Sequence, residues 1–268
     1  MKINVGFEMI FECPKPTPMI FNLNVHYTRV SDLLGRDALM VDPPVPMKAT
    51  ATTSAIGAPA SSRRRDAAGS VPTRPSPTAA ARRTGSRARQ TAVEDLPDDT
   101  LIFLLGSRYC DTDRLSQTAW DLFGQTPTGW DRVQAICDYV HRHITFDYEQ
   151  ADNTRTALEA FTGRVGGVSG LHPSGRRLLP VHEHSGAVLH RLSGDIGMPP
   201  PYGPMDFAAW FEVFLDGQWH TFDARNNVPR IGRVLIARGR DAADVALSNA
   251  FGGANTLTGF RVWTDEVG

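Results

Sequence analysis

The sequence predicts an α+β protein: a β-rich N-terminal part ahead of a core in which helices pack on an antiparallel sheet. Three observations carry this. Ile3, Val5, Phe7 and Met9 alternate with mostly polar neighbours, the period of a half-buried strand. Trp130, Val133, Ile136, Cys137 and Val140 fall on one helical stripe. From Phe207 onward two apolar, aromatic runs flank Asp216-Gly217, a strong hairpin signal.

The elements follow in order. Residues 1–47 read as β, with a second apolar run at Ile20, Leu23, Val25 and Tyr27, and Val41-Asp42-Pro43-Pro44-Val45-Pro46 closing the region. Residues 48–90 are mostly Ala, Ser, Thr, Arg, Pro and Gly, and eight arginines there face the single acid Asp66. That composition predicts a disordered basic linker rather than a nucleic-acid arm, because no aromatic is present to stack on bases. Order resumes at Asp95. A helix fits Asp113 to Phe123, with Leu115, Ala119, Leu122 and Phe123 on one side and Gly124 as the stop. The Trp130 helix follows, with Thr128 and Asp131 resembling a capping box. Ile144 to Tyr148 is a short extended piece, and a third helix is expected near Thr154 to Phe161. Residues 167–193 hold Gly, Ser, Pro, Arg and four His with no helical stripe, so poor packing is expected there as in 48–90. Ala209 to Leu215 and Trp219 to Asp223 are the hairpin strands, and Phe260 to Trp263 is a last strand.

Composition narrows the function classes. Hydrophobic residues make up 41% and charged residues 21%, as in an ordinary globular chain. A formal net charge of −1 gives no electrostatic case for nucleic acid or an anionic membrane surface. No stretch approaches the roughly 20 apolar residues of a membrane helix, and Glu8 and Glu12 interrupt the opening segment, so a cytoplasmic protein is expected. The three cysteines, Cys13, Cys110 and Cys137, make no disulfide framework and no zinc-ligand spacing.

Helices, then a nucleophile segment, then a Trp-containing hairpin ending in Asp is an order that resembles the transglutaminase-like superfamily, on a papain-like Cys-His-Asp scaffold. Ala209-Trp210-Phe211-Glu212-Val213 and Trp219-His220-Thr221-Phe222-Asp223 resemble its two strands. Gly239-Arg240-Asp241-Ala242-Ala243-Asp244-Val245 resembles its Gly-Arg-Asp-x-x-Asp-Val segment. The β-rich start resembles the accessory domain of bacterial members. The resemblance implies residues 1–95 as that accessory domain and 96–268 as the core. It also implies thiol-dependent acyl transfer or hydrolysis at amide bonds of a peptide or protein substrate, without cofactor or metal. In such a triad a helix N-terminus lowers the thiol pKa, the His moves the proton and the Asp orients the imidazole.

This chain departs from that pattern twice. Asp223 takes the triad Asp position, but the Cys position is Val168 and the His position is Ala208, neither of them competent. His220 is close in sequence, yet three residues from Asp223, so strand alternation puts the two on opposite faces. The chain is therefore expected to be inactive as written. The alternative is a pseudoenzyme that binds peptides or proteins in the retained cleft. The segment at 168 has a further reading. A one-base shift, with permitted codons, converts the stretch from Val168 into Cys-Arg-Asp-Phe and then an amphipathic helix and a strand. The opposite shift turns 49–63 into a hairpin-like string. Both segments thus read as out of frame, and resequencing the gene tests it.

Other constellations are weaker. His182-Glu183-His184, with His172 and His190, has the residue types of a metal site but no rigid scaffold around it. His141 and His143 sit at a helix end, where a cation suits the dipole. Arg240 and Asp241 are expected to form a local ion pair or turn.

Overall fold

The computed structural model describes residues 2–49, 54–58, 61–63, 69–72, 88–147, 152, 154–166, 186–193, 206–228, 232–252 and 254–267. The N-terminal alternation produces strand β1 (Lys2–Glu12), which buries Ile3, Val5, Phe7, Met9 and Phe11 on one face. Strand β2 is Thr17–Phe21. Leu23 and Val25 are buried beyond its end without extending it.

Four short strands lie where the composition predicts a linker: β3 (Met47–Ala49), β4 (Ser54–Ala58), β5 (Ser61–Arg63) and β6 (Gly69–Pro72). β3 and β4 continue the β2 sheet, whereas β5 and β6 both pair with β1. The linker expectation is therefore corrected at these residues. Backbone ladders are indifferent to side-chain composition, and β1 and β2 each present an edge to complete. The remainder of 48–87 lies outside the described residues.

The helices follow the apolar periodicity. A short α1 (Asp98–Leu101) precedes α2 (Thr112–Phe123) and α3 (Trp130–His143). In α2, Leu115, Ala119 and Phe123 are buried, but Leu122 is 40% exposed and drops out of the expected stripe. In α3 all five stripe residues are buried. The expected capping box at Thr128 and Asp131 is absent. Gly129 is the N-cap, at φ 80, and no side chain caps the end. Instead the Trp130 N–H donates to Ala88 O at 2.9 Å. A Cβ at Gly129 would lie 2.5 Å from that same carbonyl, so the close approach requires glycine. The reciprocal capping box occurs one helix later, where Thr156 and Glu159 cap α4 (Ala157–Gly163). β7 (Thr145–Phe146), ahead of α4, pairs in parallel with β8 (Val165–Gly166), just after it.

Arg132 ties α3 to the end of α2. It is 6% exposed, and its Nη2 donates to Thr126 O at 2.6 Å and to Gly124 O at 3.3 Å. The guanidinium thus satisfies carbonyls that a helix terminus leaves open. Arg132→Ala is expected to lower stability by about 2 kcal/mol in urea unfolding, since those carbonyls lose a charged donor.

The central sheet has the order β11-β10-β9-β12, from β9 (Gly186–Ser193), β10 (Asp206–Leu215), β11 (Gln218–Phe222) and β12 (Arg233–Gly239). β9 lies within the stretch expected to pack poorly, yet it pairs continuously with β10 from Gly186 to Ser193. The backbone of 186–193 is thus ordered in a ladder that the composition did not predict; 167–185 lie outside the described residues. The β10–β11 turn places Asp216 at φ 46 and Gly217 at φ 76, the two positive values of a type I′ hairpin.

One face of this sheet gives Phe211, Val213, Leu215 and Phe222 to the helices. Val234 and Ile236 of β12 join the second core, with β1 and β2. Strand β13 (Ser248–Ala250) pairs with β2, and β14 (Thr256–Val267) pairs with β1 from end to end. The N-terminal β layer thus draws strands from both ends of the chain.

The Gly-Arg-Asp segment has a structural account. Arg240 holds Asp244 through Nε at 2.8 Å and Nη2 at 3.1 Å, and Asp244 raises the guanidinium above its ordinary value. Asp241, 1% exposed, accepts the Tyr109 N–H at 2.9 Å and the Ala243 N–H at 2.9 Å. It anchors the loop ahead of α2.

Candidate functional site

Asp223 stands just past the end of β11, 8% exposed. Its carboxylate has donors on several sides. The Trp210 indole Nε1–H donates to Oδ2 from the neighbouring strand. Asn226 donates twice, its backbone N–H to Oδ1 at 3.0 Å and its Nδ2 to Oδ2 at 2.9 Å. Arg233 reaches Oδ2 with Nη2 at 3.5 Å, and its guanidinium lies 4.2 Å from the Trp210 ring centroid. The side chains of Arg233 and Asp223 are only 6% and 4% exposed. A buried carboxylate survives in such a place only with this set of donors.

The turn that follows is fixed from the helix side. Asn227, at φ 49, donates its N–H to Asp223 O at 2.8 Å. Its Nδ2 donates to Asp138 Oδ1 at 2.7 Å, and its Oδ1 accepts from Gln134 Nε2 at 3.0 Å. Gln134 and Asp138 are one turn apart on α3 and bonded to each other at 2.7 Å. Asn tolerates the left-handed conformation better than most residues, which suits it to position 227.

The other expected site residues are placed elsewhere. Val168 lies outside the described residues. Ala208 is in β10, opposite Arg191 of β9 in the ladder, and brings no titratable group. His220 is opposite Val213 and packs edge-on against Trp130 of α3, with ring centroids 5.6 Å apart. It sits on the helix side of the sheet with Phe222, away from Trp210 and Asp223. His220 is 4% exposed and neither ring nitrogen reaches a hydrogen-bond partner. Burial pushes its pKa below the ordinary value, against smaller opposing effects of the Leu215 backbone, Asp216 and Glu212.

His141 Nδ1 is 2.8 Å from Arg225 O, and His143 Nε2 is 3.0 Å from Phe161 O, so the two tie the last turn of α3 to the turn after β11 and to α4. His172, His182, Glu183 and His184 lie outside the described residues. Among the described residues no cluster of three or more His, Cys, Asp or Glu could hold a metal ion. All three cysteines are buried, Cys13 at 1%, Cys110 at 3% and Cys137 at 1% exposed.

Sequence reasoning missed Trp210, Asn226 and Arg233 as partners of Asp223. Asp223-Ala224-Arg225-Asn226 is an Asp followed three residues on by Asn, a pattern suited to an Asx-type turn, and could have flagged Asn226. Arg233 arrives from β12, across β9, with no local signal.

No protein-family model matches the chain, and no curated protein matches it. Among solved structures, it is similar to a protein from Cytophaga hutchinsonii described as a candidate cysteine protease. The identity is 25%, over 99% of this chain and 90% of that one, with a TM-score of 0.77. A more distant likeness is to the periplasmic domain of TgpA from Pseudomonas aeruginosa bound to ethylmercury, at 13% identity over 84% of this chain and 90% of that one, TM-score 0.42. The first of these establishes the mixed helix-and-sheet fold.

Proposed function

We propose that the chain carries a transglutaminase-like fold whose ancestral chemistry was thiol-dependent acyl transfer or hydrolysis at amide bonds, and that as written it does not turn over. One observation carries this. The Asp223 carboxylate, in the position that would orient a base, is held by Trp210, Asn226 and Arg233, and no described imidazole hydrogen-bonds it. The burial of all three cysteines supports the same reading. A thiol that must attack a carbonyl needs an exposed, electropositive setting and an adjacent base.

The tightly bonded Asp223 turn and the complete Trp210 hairpin also support a second reading, a non-catalytic protein that binds peptides or proteins. The absence of a nucleophile at Val168 is proposed to reflect a reading-frame shift, which the DNA sequence across that stretch tests.

The functional test is a pair of assays on the full chain: cleavage of a fluorogenic peptide, and amine incorporation into a glutamine-containing peptide. Both are expected at the rate seen without protein. Turnover abolished by replacing a single cysteine with serine would overturn the inactive reading. Saturable binding of the glutamine-containing peptide in calorimetry, without turnover, would favour the second reading.

A further inference from the structure

The apolar run Leu101-Ile102-Phe103-Leu104-Leu105 follows the acidic stretch Glu94-Asp95-Leu96-Pro97-Asp98-Asp99. So apolar a run cannot turn every side chain inward over one short helix and turn. Phe103 is the anchor: its ring meets Trp219 of β11 edge-on, with centroids 5.5 Å apart. Leu101, Ile102 and Leu105 stay outside, 38%, 48% and 59% exposed. Leu101 and Ile102 are consecutive, and the Leu105 N–H donates to Ile102 O at 3.3 Å, so the three share one tight turn. A cluster of large exposed apolar side chains rimmed by polar ones is the mark of a contact surface.

The rim is acidic. Asp98 and Asp99 lie one helical turn before Leu101 and Ile102 and are exposed. Glu94 and Asp95 are exposed just ahead of them. Among the described residues no cation pairs with any of these four carboxylates. The nearest cations along the chain are held elsewhere: Arg89 faces Asp216, with Nε 3.7 Å from Oδ1, and Arg108 lies over the Tyr109 ring. Exposed apolar bulk and uncompensated negative charge thus stand side by side.

We propose that this face is a docking site for a cationic amphipathic segment of a partner protein. The segment sets aliphatic side chains against Leu101, Ile102 and Leu105, and lysines or arginines against Asp98 and Asp99. Charge complementarity selects that occupant. An anionic lipid surface or a nucleic acid would bring its own negative charge against the carboxylates. The face is separate from Asp223. Trp219, on which Phe103 is anchored, lies near the hairpin turn, and Asp223 lies past the other end of β11, roughly 13 Å along the strand.

Fluorescence anisotropy of a labelled synthetic peptide, with leucine along one helical face and lysine along the other, tests this on the full chain. Saturable binding is expected, weakening as salt is raised. The same peptide with glutamate for lysine is expected not to bind. Ile102→Ser with Leu105→Ser should weaken binding of the lysine peptide about tenfold or more. Asp98→Asn with Asp99→Asn should weaken it at low salt and flatten the salt dependence. All four positions are exposed, and far-UV circular dichroism checks that each variant is folded. No saturable binding, equal binding of the glutamate peptide, or folded variants that bind like wild type would overturn the proposal. So would self-association of the chain alone in sedimentation equilibrium that Ile102→Ser with Leu105→Ser abolishes, since the face would then belong to a second copy.

Discussion

Asp223→Ala lowers the unfolding free energy by about 3–5 kcal/mol, because it removes the carboxylate from a buried ion pair and leaves the cation behind. Arg233 then stays against the Trp210 ring with its side chain 6% exposed, without the Asp223 charge. The Trp210 indole N–H and both Asn226 donors also lose their acceptor. In a chain of this size the loss corresponds to a melting temperature lower by roughly 10 °C. Asp223→Asn keeps an oxygen for Trp210 but no charge for Arg233, so it is expected to fall between wild type and alanine. Adding Arg233→Met to Asp223→Ala should recover part of the loss, since removing both charges is better tolerated than removing one. Urea unfolding of the four proteins measures this. An Asp223→Ala effect below about 1 kcal/mol would mean the carboxylate is not holding its surroundings.

Acid destabilises the fold through His220, and the sign follows from which state takes the proton. In the unfolded chain its imidazole titrates near its ordinary value of about 6.5. In the folded chain burial holds the pKa lower, with the ring against Trp130 and no hydrogen-bond partner for either nitrogen. Below pH 6.5 the unfolded chain therefore binds more protons than the folded one, and stability falls as pH falls. The contribution is complete above the unfolded value. It is lost with a limiting slope of about 1.4 kcal/mol per pH unit, until the folded pKa is reached. His220→Phe keeps an aromatic ring in the apolar layer and cannot be protonated. Its stability, measured by urea unfolding, should run parallel to wild type above pH 7 and decline less steeply between pH 6.5 and 5. Parallel curves through that window would show that the ring finds a partner when charged.

The fold was legible wherever hydrophobic periodicity controls it. The stripe of α3, the alternation of β1 and the Asp216-Gly217 turn are local signals, and each produced the expected element. Helix caps were less legible. A cap depends on what approaches the helix end, and the start of α3 is closed by the Ala88 carbonyl from a distant segment, which no spacing around Thr128 encodes. The strands in 48–72 and at 186–193 were missed because composition governs the cost of ordering a free chain, whereas a ready-made neighbouring edge supplies the ladder. The candidate site was legible only as a position, Asp223. Its partners come from two strands and a turn, and what they do to the carboxylate depends on burial. The same holds for His220, whose sequence neighbours suggest an ordinary strand histidine and whose environment makes it a titrating group inside a core.

The proposed inactivity requires that this chain present no competent nucleophilic thiol. Intact-mass spectrometry of the folded full chain after brief exposure to iodoacetamide at neutral pH tests that claim most directly. No adduct is expected on the native protein and three after unfolding, one each on Cys13, Cys110 and Cys137, all of which are buried. Rapid, stoichiometric modification of one cysteine in the folded chain, faster than in the unfolded chain and made slow by Asp223→Asn, would contradict it.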